Sequence, residues 1–136
     1  MTNIFSVQSL VVAALSLAVL VNGQQAACAR NYTVQPGDFC DEISAAQNVS
    51  TFQLASVNSA IIDPACDNLQ VGEVLCLGLV GQDCTDVHVV ASGDACDTIA
   101  SQAGINTTVL LANNPNVNAA CSNIYPGEVL CVGPTA

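Results

Sequence analysis

The hydrophobic pattern divides the chain near residue 23. Leu10 to Val21 read LVVAALSLAVLV, an uncharged and largely apolar run. It fits a signal-peptide core and is short for a membrane-spanning helix of about 20 residues. Small residues at Val21 and Gly23 predict cleavage after Gly23, with Ala26 or Ala27 as fallbacks, so residues 1–23 are assigned as a leader and the mature chain begins at Gln24. Beyond it the apolar positions come in short bursts, and they come twice. Tyr32-Thr33-Val34 and His88-Val89-Val90 are β-prone runs that stop at Gly37 and Gly93, as brief strands do. Cys40, Ile43 and Ala46, then Cys96, Ile99 and Ala103, recur at helical spacing and predict one buried stripe per copy. Asp38 and Asp94 read as N-caps of these helices, with Asp41 and Asp97 in capping-box positions. Asn48 and Gly104 should close them, both being residue types that tolerate the left-handed conformation at a helix end. Ser50 or Thr51, and Asn106 or Thr107, then cap a second helix carrying Leu54 and Val57, or Leu110 and Leu111. That helix ends near Asn58 and at Asn114-Pro115, and GEVLCL and GEVLCV follow as a closing strand.

The cysteines set the register of the repeat. Cys28 and Cys84, like Cys40 and Cys96, stand 56 residues apart, whereas Cys66 and Cys121, like Cys76 and Cys131, stand 55 apart. One residue has been lost around Ile61 and Ile62. In this register Gly37/Gly93, Asp38/Asp94, Ile43/Ile99, Leu54/Leu110, Asn58/Asn114 and Asn68/Asn123 match. Two copies of a module of roughly 50 residues account for this better than one larger domain. The expected organisation is a first module over 28–78, a linker over 79–83 and a second module over 84–133. The expected fold class is α+β: two tandem βααβ modules held by disulfides. If the terminal strands pair antiparallel beneath a helix hairpin, the turn at Gly37-Asp38-Phe39 and the loop from Asn58 emerge at the same end, and their cleft is the natural binding site.

Composition narrows the partners. One Lys or Arg stands against 11 Asp plus Glu, for a formal charge of −10, which excludes nucleic acid and anionic lipid as electrostatic partners. With the leader removed no membrane segment is expected, so the protein reads as secreted and extracellular. In an oxidising compartment eight cysteines without a CxxC pair favour a disulfide framework. A single His leaves little from which to build a metal site. No metal or other cofactor is expected. Three pairings per copy are available. Antiparallel terminal strands bring Cys28 toward Cys76 and leave Cys40 with Cys66, with Cys84–Cys131 and Cys96–Cys121 by the same logic; crossed pairs are the alternative. Sequons at Asn31, Asn48 and Asn106 mark candidate glycosylation sites.

Catalysis finds no constellation. Glu73 and Glu128 each follow a Gly turn into a strand, and nothing forces the pair of carboxyls about 5–9.5 Å apart that glycoside hydrolysis needs. His88 has no Ser or Cys nucleophile beside it and reads as a strand residue facing solvent.

YTVQPGDFCDEIS (32–44) and HVVASGDACDTIA (88–100), with the loops from Asn58 and Asn114-Pro115 and the closing NLQVGEVLCLG and NIYPGEVLCVG, resemble the LysM family. The resemblance is to the cysteine-containing modules of secreted fungal proteins. It implies a βααβ fold and non-catalytic binding of N-acetylglucosamine polymers, chiefly chitin oligomers, in the two-loop groove. It also implies a role in sequestering chitin fragments from host receptors or in shielding the fungal wall. Carried over by position, the first groove uses Gly37, Asp38, Phe39, Asn58, Ser59, Ala60, Ile61 and Ile62. The second uses Gly93, Asp94, Ala95, Asn114, Pro115, Asn116 and Val117. Ser59, His88 and Ala95 depart from the residues common in the family. With no Trp in the chain, recognition should be led by loop backbone, with Ile61, Ile62 and Val117 receiving acetyl methyls. Two grooves on one chain also predict ligand-bridged self-association. The alternative is a cysteine-rich structural or protein-inhibiting module without glycan binding; adjacent Cys-Cys doublets, the mark of hydrophobins, are absent.

Overall fold

Each half of the chain runs strand, helix, helix, strand: β1 (Cys28–Thr33), α1 (Cys40–Gln47), α2 (Thr51–Val57) and β2 (Val74–Leu79), then β3 (Val87–Val89), α3 (Cys96–Ala103), α4 (Thr107–Asn113) and β4 (Val129–Cys131). The computed structural model describes residues 26–134, so the leader assigned to residues 1–23 lies outside the described residues. β1 pairs antiparallel with β2, placing Tyr32 opposite Leu75, and β3 pairs antiparallel with β4, placing His88 opposite Leu130. The sheets are separate and two-stranded.

A two-stranded sheet is marginal by itself and gains its stability from what packs on it. In the first copy Val34, Ile43, Val49, Leu54, Ile62, Leu75 and Leu77 form the core. Val90, Cys96, Ile99, Ala100, Leu110, Val117 and Leu130 form the core of the second. These are small clusters, and the cross-links supplement them. Cys28–Cys76, Cys40–Cys66, Cys84–Cys131 and Cys96–Cys121 are bonded, each within its own copy. Closing loops of this length removes denatured-state entropy worth about 3–4 kcal/mol per bridge.

Local details differ from the sequence expectations in two places. The buried stripe of α1 and α3 turns from Ile43 and Ile99 to Ser44 and Ala100, while Ala46 and Ala103 face solvent. In α3 the buried positions Cys96, Ile99 and Ala100 stand at i, i+3 and i+4, and the stripe does not reach the last residue, Ala103. Phe39 and Ala95, not Asp38 and Asp94, are the N-cap residues of those helices, and neither supplies a side-chain cap. The helices start one residue later than expected because the chain completes a turn first, with the Asp38 and Asp94 N–H groups donating to the carbonyls of Gln35 and Ala91. The second helices start as expected: Ser50 accepts from the Gln53 N–H and Asn106 from the Val109 N–H. Asn48 and Gly104 close α1 and α3 in the left-handed region, at φ 51° and 73°.

Contacts join the copies along the chain between them. Leu77, Gly78 and Leu79 belong to β2, so little free chain separates the two sheets. Asp83 binds the Arg30 guanidinium through both carboxylate oxygens, at 2.7 and 2.8 Å. Arg30 also donates to the Gln47 carbonyl at 2.7 Å, at the negative end of α1. Buried Gln53 completes the junction by donating to the Leu77 carbonyl and Asp83 and accepting from the Cys84 N–H. Gly78 is required here, because a Cβ at that position would overlap the Asp83 carboxylate and the Gln53 amide.

Candidate functional site

The two loops predicted to flank a cleft are each built from a turn locked by an aspartate. In the first copy Gly37 takes φ +89°, a conformation that only glycine adopts freely. Asp38 Oδ2 then accepts from the Gln35 N–H and the Tyr32 hydroxyl, both at 2.7 Å. In the second copy Asp94 Oδ2 accepts from the Ala91 N–H at 2.9 Å and meets His88 Nε2 at 2.7 Å. His88 therefore does the work of Tyr32, half-buried against the turn rather than pointing freely into solvent. The Ala91 N–H and then His88 hold the Asp94 carboxyl below its usual range. Asp38 and Asp94 are turn locks, and their carboxylates are already engaged.

The second wall begins with an asparagine whose side chain faces inward. Asn58 is 4% exposed and Asn114 is fully buried. Asn58 Nδ2 donates to the Leu54 and Cys76 carbonyls and its Oδ1 accepts from the Cys76 N–H. Asn114 makes the same three bonds to Leu110 and Cys131. These side chains tie the end of the second helix to the closing strand, so any part they play in a groove is through the loop they anchor. Ile62 and Val117 also face inward, as members of the two cores. Their side chains are largely committed to the cores, and Ile62 shows an edge to the cleft. Ile61 remains exposed, as do Ser59, Ala60, Pro115 and Asn116.

Asn68 and Asn123, matched in sequence but given no role there, buckle the same loops. Asn68 Nδ2 donates to the Ile61 carbonyl while its Oδ1 accepts from the Asp63 N–H. Asn123 repeats this with Asn116 and Asn118. The Cys40–Cys66 and Cys96–Cys121 bridges then fasten the residue after each turn to the far end of each loop. Cys66 and Cys121 sit at φ 56° and 55°, an uncommon conformation for a non-glycine residue.

In the first copy the two walls enclose a cavity of about 220 Å³ lined by Phe39, Asp41, Ala55, Ile62, Asp63 and Pro64 among others, and also by Tyr125 of the second copy. The Tyr125 hydroxyl donates to Asp41 Oδ2 at 2.9 Å. Thr51 donates to Asp41 Oδ1 at 2.7 Å and accepts from the Val129 N–H at 2.9 Å. Burial and then the Asp41 hydrogen bond push the Tyr125 hydroxyl well above its ordinary value, so it stays a donor. Nearby, Glu128 is 2% exposed, accepts from Asn116 Nδ2, and has its carboxyl pushed up chiefly by burial. Its counterpart Glu73 leaves one buried oxygen without a partner, since the first loop carries no amide where Asn116 stands. Sequence reasoning missed Tyr125, because its contact with Asp41 spans 84 residues.

Among the described residues no group of His, Cys, Asp and Glu is arranged to hold a metal ion, and no helix is long and apolar enough to cross a membrane. Asn31, Asn48 and Asn106 are all exposed.

Comparison with known proteins adds the family context. The LysM domain matches residues 32–78 and 88–133. A non-secreted LysM effector of Gibberella moniliformis is 34% identical over 107 residues, covering 77% of this chain and 14% of the relative. A secreted LysM effector of Pochonia chlamydosporia is also 34% identical, covering 77% of this chain and 15% of its own. A secreted LysM effector of Trichophyton rubrum is 29% identical over 129 residues, covering 78% of this chain and 51% of the relative. The chain thus spans from about a seventh to about half the length of these relatives. Among solved structures, the spore cortex-lytic enzyme SleL of Bacillus megaterium QM B1551 aligns with 77% of this chain and 22% of its own at 17% identity, with a TM-score of 0.40.

Proposed function

The chain belongs to the LysM family, and from that premise we propose that it is a secreted, non-catalytic binding protein for N-acetylglucosamine polymers, chitin oligomers above all. The observation that carries this reading is the duplicated cleft: two short loops, each locked by an aspartate turn, a buried asparagine and a disulfide, recur in both copies. A neutral acetylated sugar suits such a cleft. Loop amides and carbonyls pair with its hydroxyl and acetamide groups, while Phe39 and Ile61 offer apolar contact without any demand for opposite charge. On a chain of net charge −10, anionic glycans are disfavoured at every approach.

Binding proceeds without hydrolysis in this reading. A glycosidase needs an acid and a second carboxylate flanking one bond. Glu128, whose carboxyl is pushed up chiefly by burial, is sealed beneath Asn116 and reaches no bound sugar. Asp38 and Asp94 are occupied as turn locks. The biological use is to withhold chitin fragments from host receptors or to cover the fungal wall, with the two clefts also able to bridge chains between molecules.

Calorimetry with chitohexaose, run beside soluble fragments of cellulose, xylan and peptidoglycan, tests the proposal. Saturable binding of chitohexaose, with the oligomer recovered intact by chromatography, is the expected result. Release of shorter sugars by the purified protein would remove the non-catalytic part of the reading. No binding to any acetylated glycan would remove the rest.

A further inference from the structure

The two copies differ in their aromatic side chains. Phe39 aligns with Ala95, and Tyr125 aligns with Gln70. These two rings, each without a counterpart in the other copy, line the same cavity. Both are open to solvent, Phe39 at 64% and Tyr125 at 43%. Exposed large rings carry a solvation penalty that contact with an apolar face relieves. Tyr125 is also held in place by its hydroxyl bond to Asp41, which is steadied in turn by Thr51.

We propose that Phe39 and Tyr125 form a composite subsite that takes one pyranose ring of a chitin oligomer, the neighbouring sugars lying in the first cleft. The inference rests on the chitin-binding reading above and extends it to a specific geometry: the second copy supplies one side of the first copy's site. The cavity of about 220 Å³ is below the usual range of about 300–1,000 Å³ for drug-sized ligands, a space for one sugar unit rather than an extended chain. Its apolar lining from Ala55, Ile62, Pro64 and Ala65 suits the C–H face of a pyranose, and the rim carboxylate of Asp63 can accept from a sugar hydroxyl. Continuity with the cleft is direct, since Phe39 and Ile62 belong to both. The second cleft has Ala95 in place of Phe39 and is the weaker of the two.

The test combines calorimetry with tyrosine emission, which reports cleanly in a protein with two Tyr and no Trp. Phe39→Ala and Tyr125→Gln, the latter installing the residue of the first copy, should each weaken chitotetraose binding about tenfold. The double variant should lose less than the product of the two, because both rings grip one sugar. Tyr125→Phe keeps the ring and should stay within about threefold of the wild type. Emission should change on adding chitotetraose to wild type and Phe39→Ala at saturation, and not in Tyr125→Gln, where Tyr32 alone remains. Wild-type binding that is unaltered in Phe39→Ala or Tyr125→Gln, both folded by hydrogen exchange, overturns the subsite and leaves the chitin reading standing. Losses that multiply independently overturn the shared ring. Failure of the wild type itself to bind any chitin oligomer overturns the reading above and this one with it.

Discussion

Asn114→Ala gives a sharp test of how these modules are held together. Asn114 is fully buried and makes three hydrogen bonds of 2.8 Å, two to the Leu110 and Cys131 carbonyls and one from the Cys131 N–H. Each is worth about 1 kcal/mol net, and alanine leaves their partners without replacement, so the loss is about 3 kcal/mol or more. A module of about 50 residues has roughly 2.5–7.5 kcal/mol in total. The substitution therefore removes a large share of the second module's stability. Its thermal transition should fall by about 12 °C or more. Asn113→Ala is the internal control: that amide makes one bond, to the Gly133 carbonyl at 2.6 Å, and should cost about 1 kcal/mol. Hydrogen exchange read by mass spectrometry separates the modules, and protection should drop across α4 and β4 while β1, α1 and β2 keep most of theirs. A change below about 0.5 kcal/mol in Asn114→Ala, or equal costs for the two substitutions, would refute the assignment of this side chain as the bolt between helix and strand.

Other outcomes follow from the same structure. Replacing Cys96 and Cys121 by Ser opens a bridge between residues 25 apart and should cost about 3 kcal/mol, measured by denaturant melts, with non-reducing peptide maps still showing Cys84–Cys131. The Asp83 carboxyl is held below its usual range by the Arg30 hydrogen bond, so its contribution is present above the unfolded value of about 3.9 and fades as pH falls through the lower folded value. Asp83→Asn should therefore lower the melting temperature at pH 7 and converge on the wild type near pH 2. Glu128 has the opposite sign: its raised folded value stabilises the protein below the unfolded value of about 4.3 and this is lost as pH rises through the folded value. Glu128→Gln should gain melting temperature relative to wild type at pH 7 and show no gain at pH 3.

What the sequence disclosed was whatever is local or repeated. The order of elements and the left-handed closures at Asn48 and Gly104 follow from short-range chemistry, and the pairing of Cys28 with Cys76 from antiparallel terminal strands, all read against a duplicated register. The placement of the helix starts was misjudged because a Gly-Asp turn and an Asp N-cap present the same letters; only the bonds from Gln35 and Ala91 distinguish them. Asn58 and Asn114 were visible as important, but their direction was not, since a loop amide and a buried tie look alike in a chain. The contact of Tyr125 with Asp41 had no sequence signal at all. It depends on how two copies meet, and it joins residues that the repeat itself treats as unrelated.

Arg30 has a consequence beyond the junction it holds. It is the single Lys or Arg in the sequence, so an enzyme of trypsin type, which must draw a basic side chain into an acidic pocket, has one peptide bond to attack, Arg30–Asn31. That bond lies inside β1, at a register shift in its pairing with β2, and the guanidinium it would have to surrender is clamped on Asp83. Were it cut, Cys28 on the near side would stay bonded to Cys76 on the far side, and the two pieces would not part. This chain offers that whole class of enzyme almost nothing to hold.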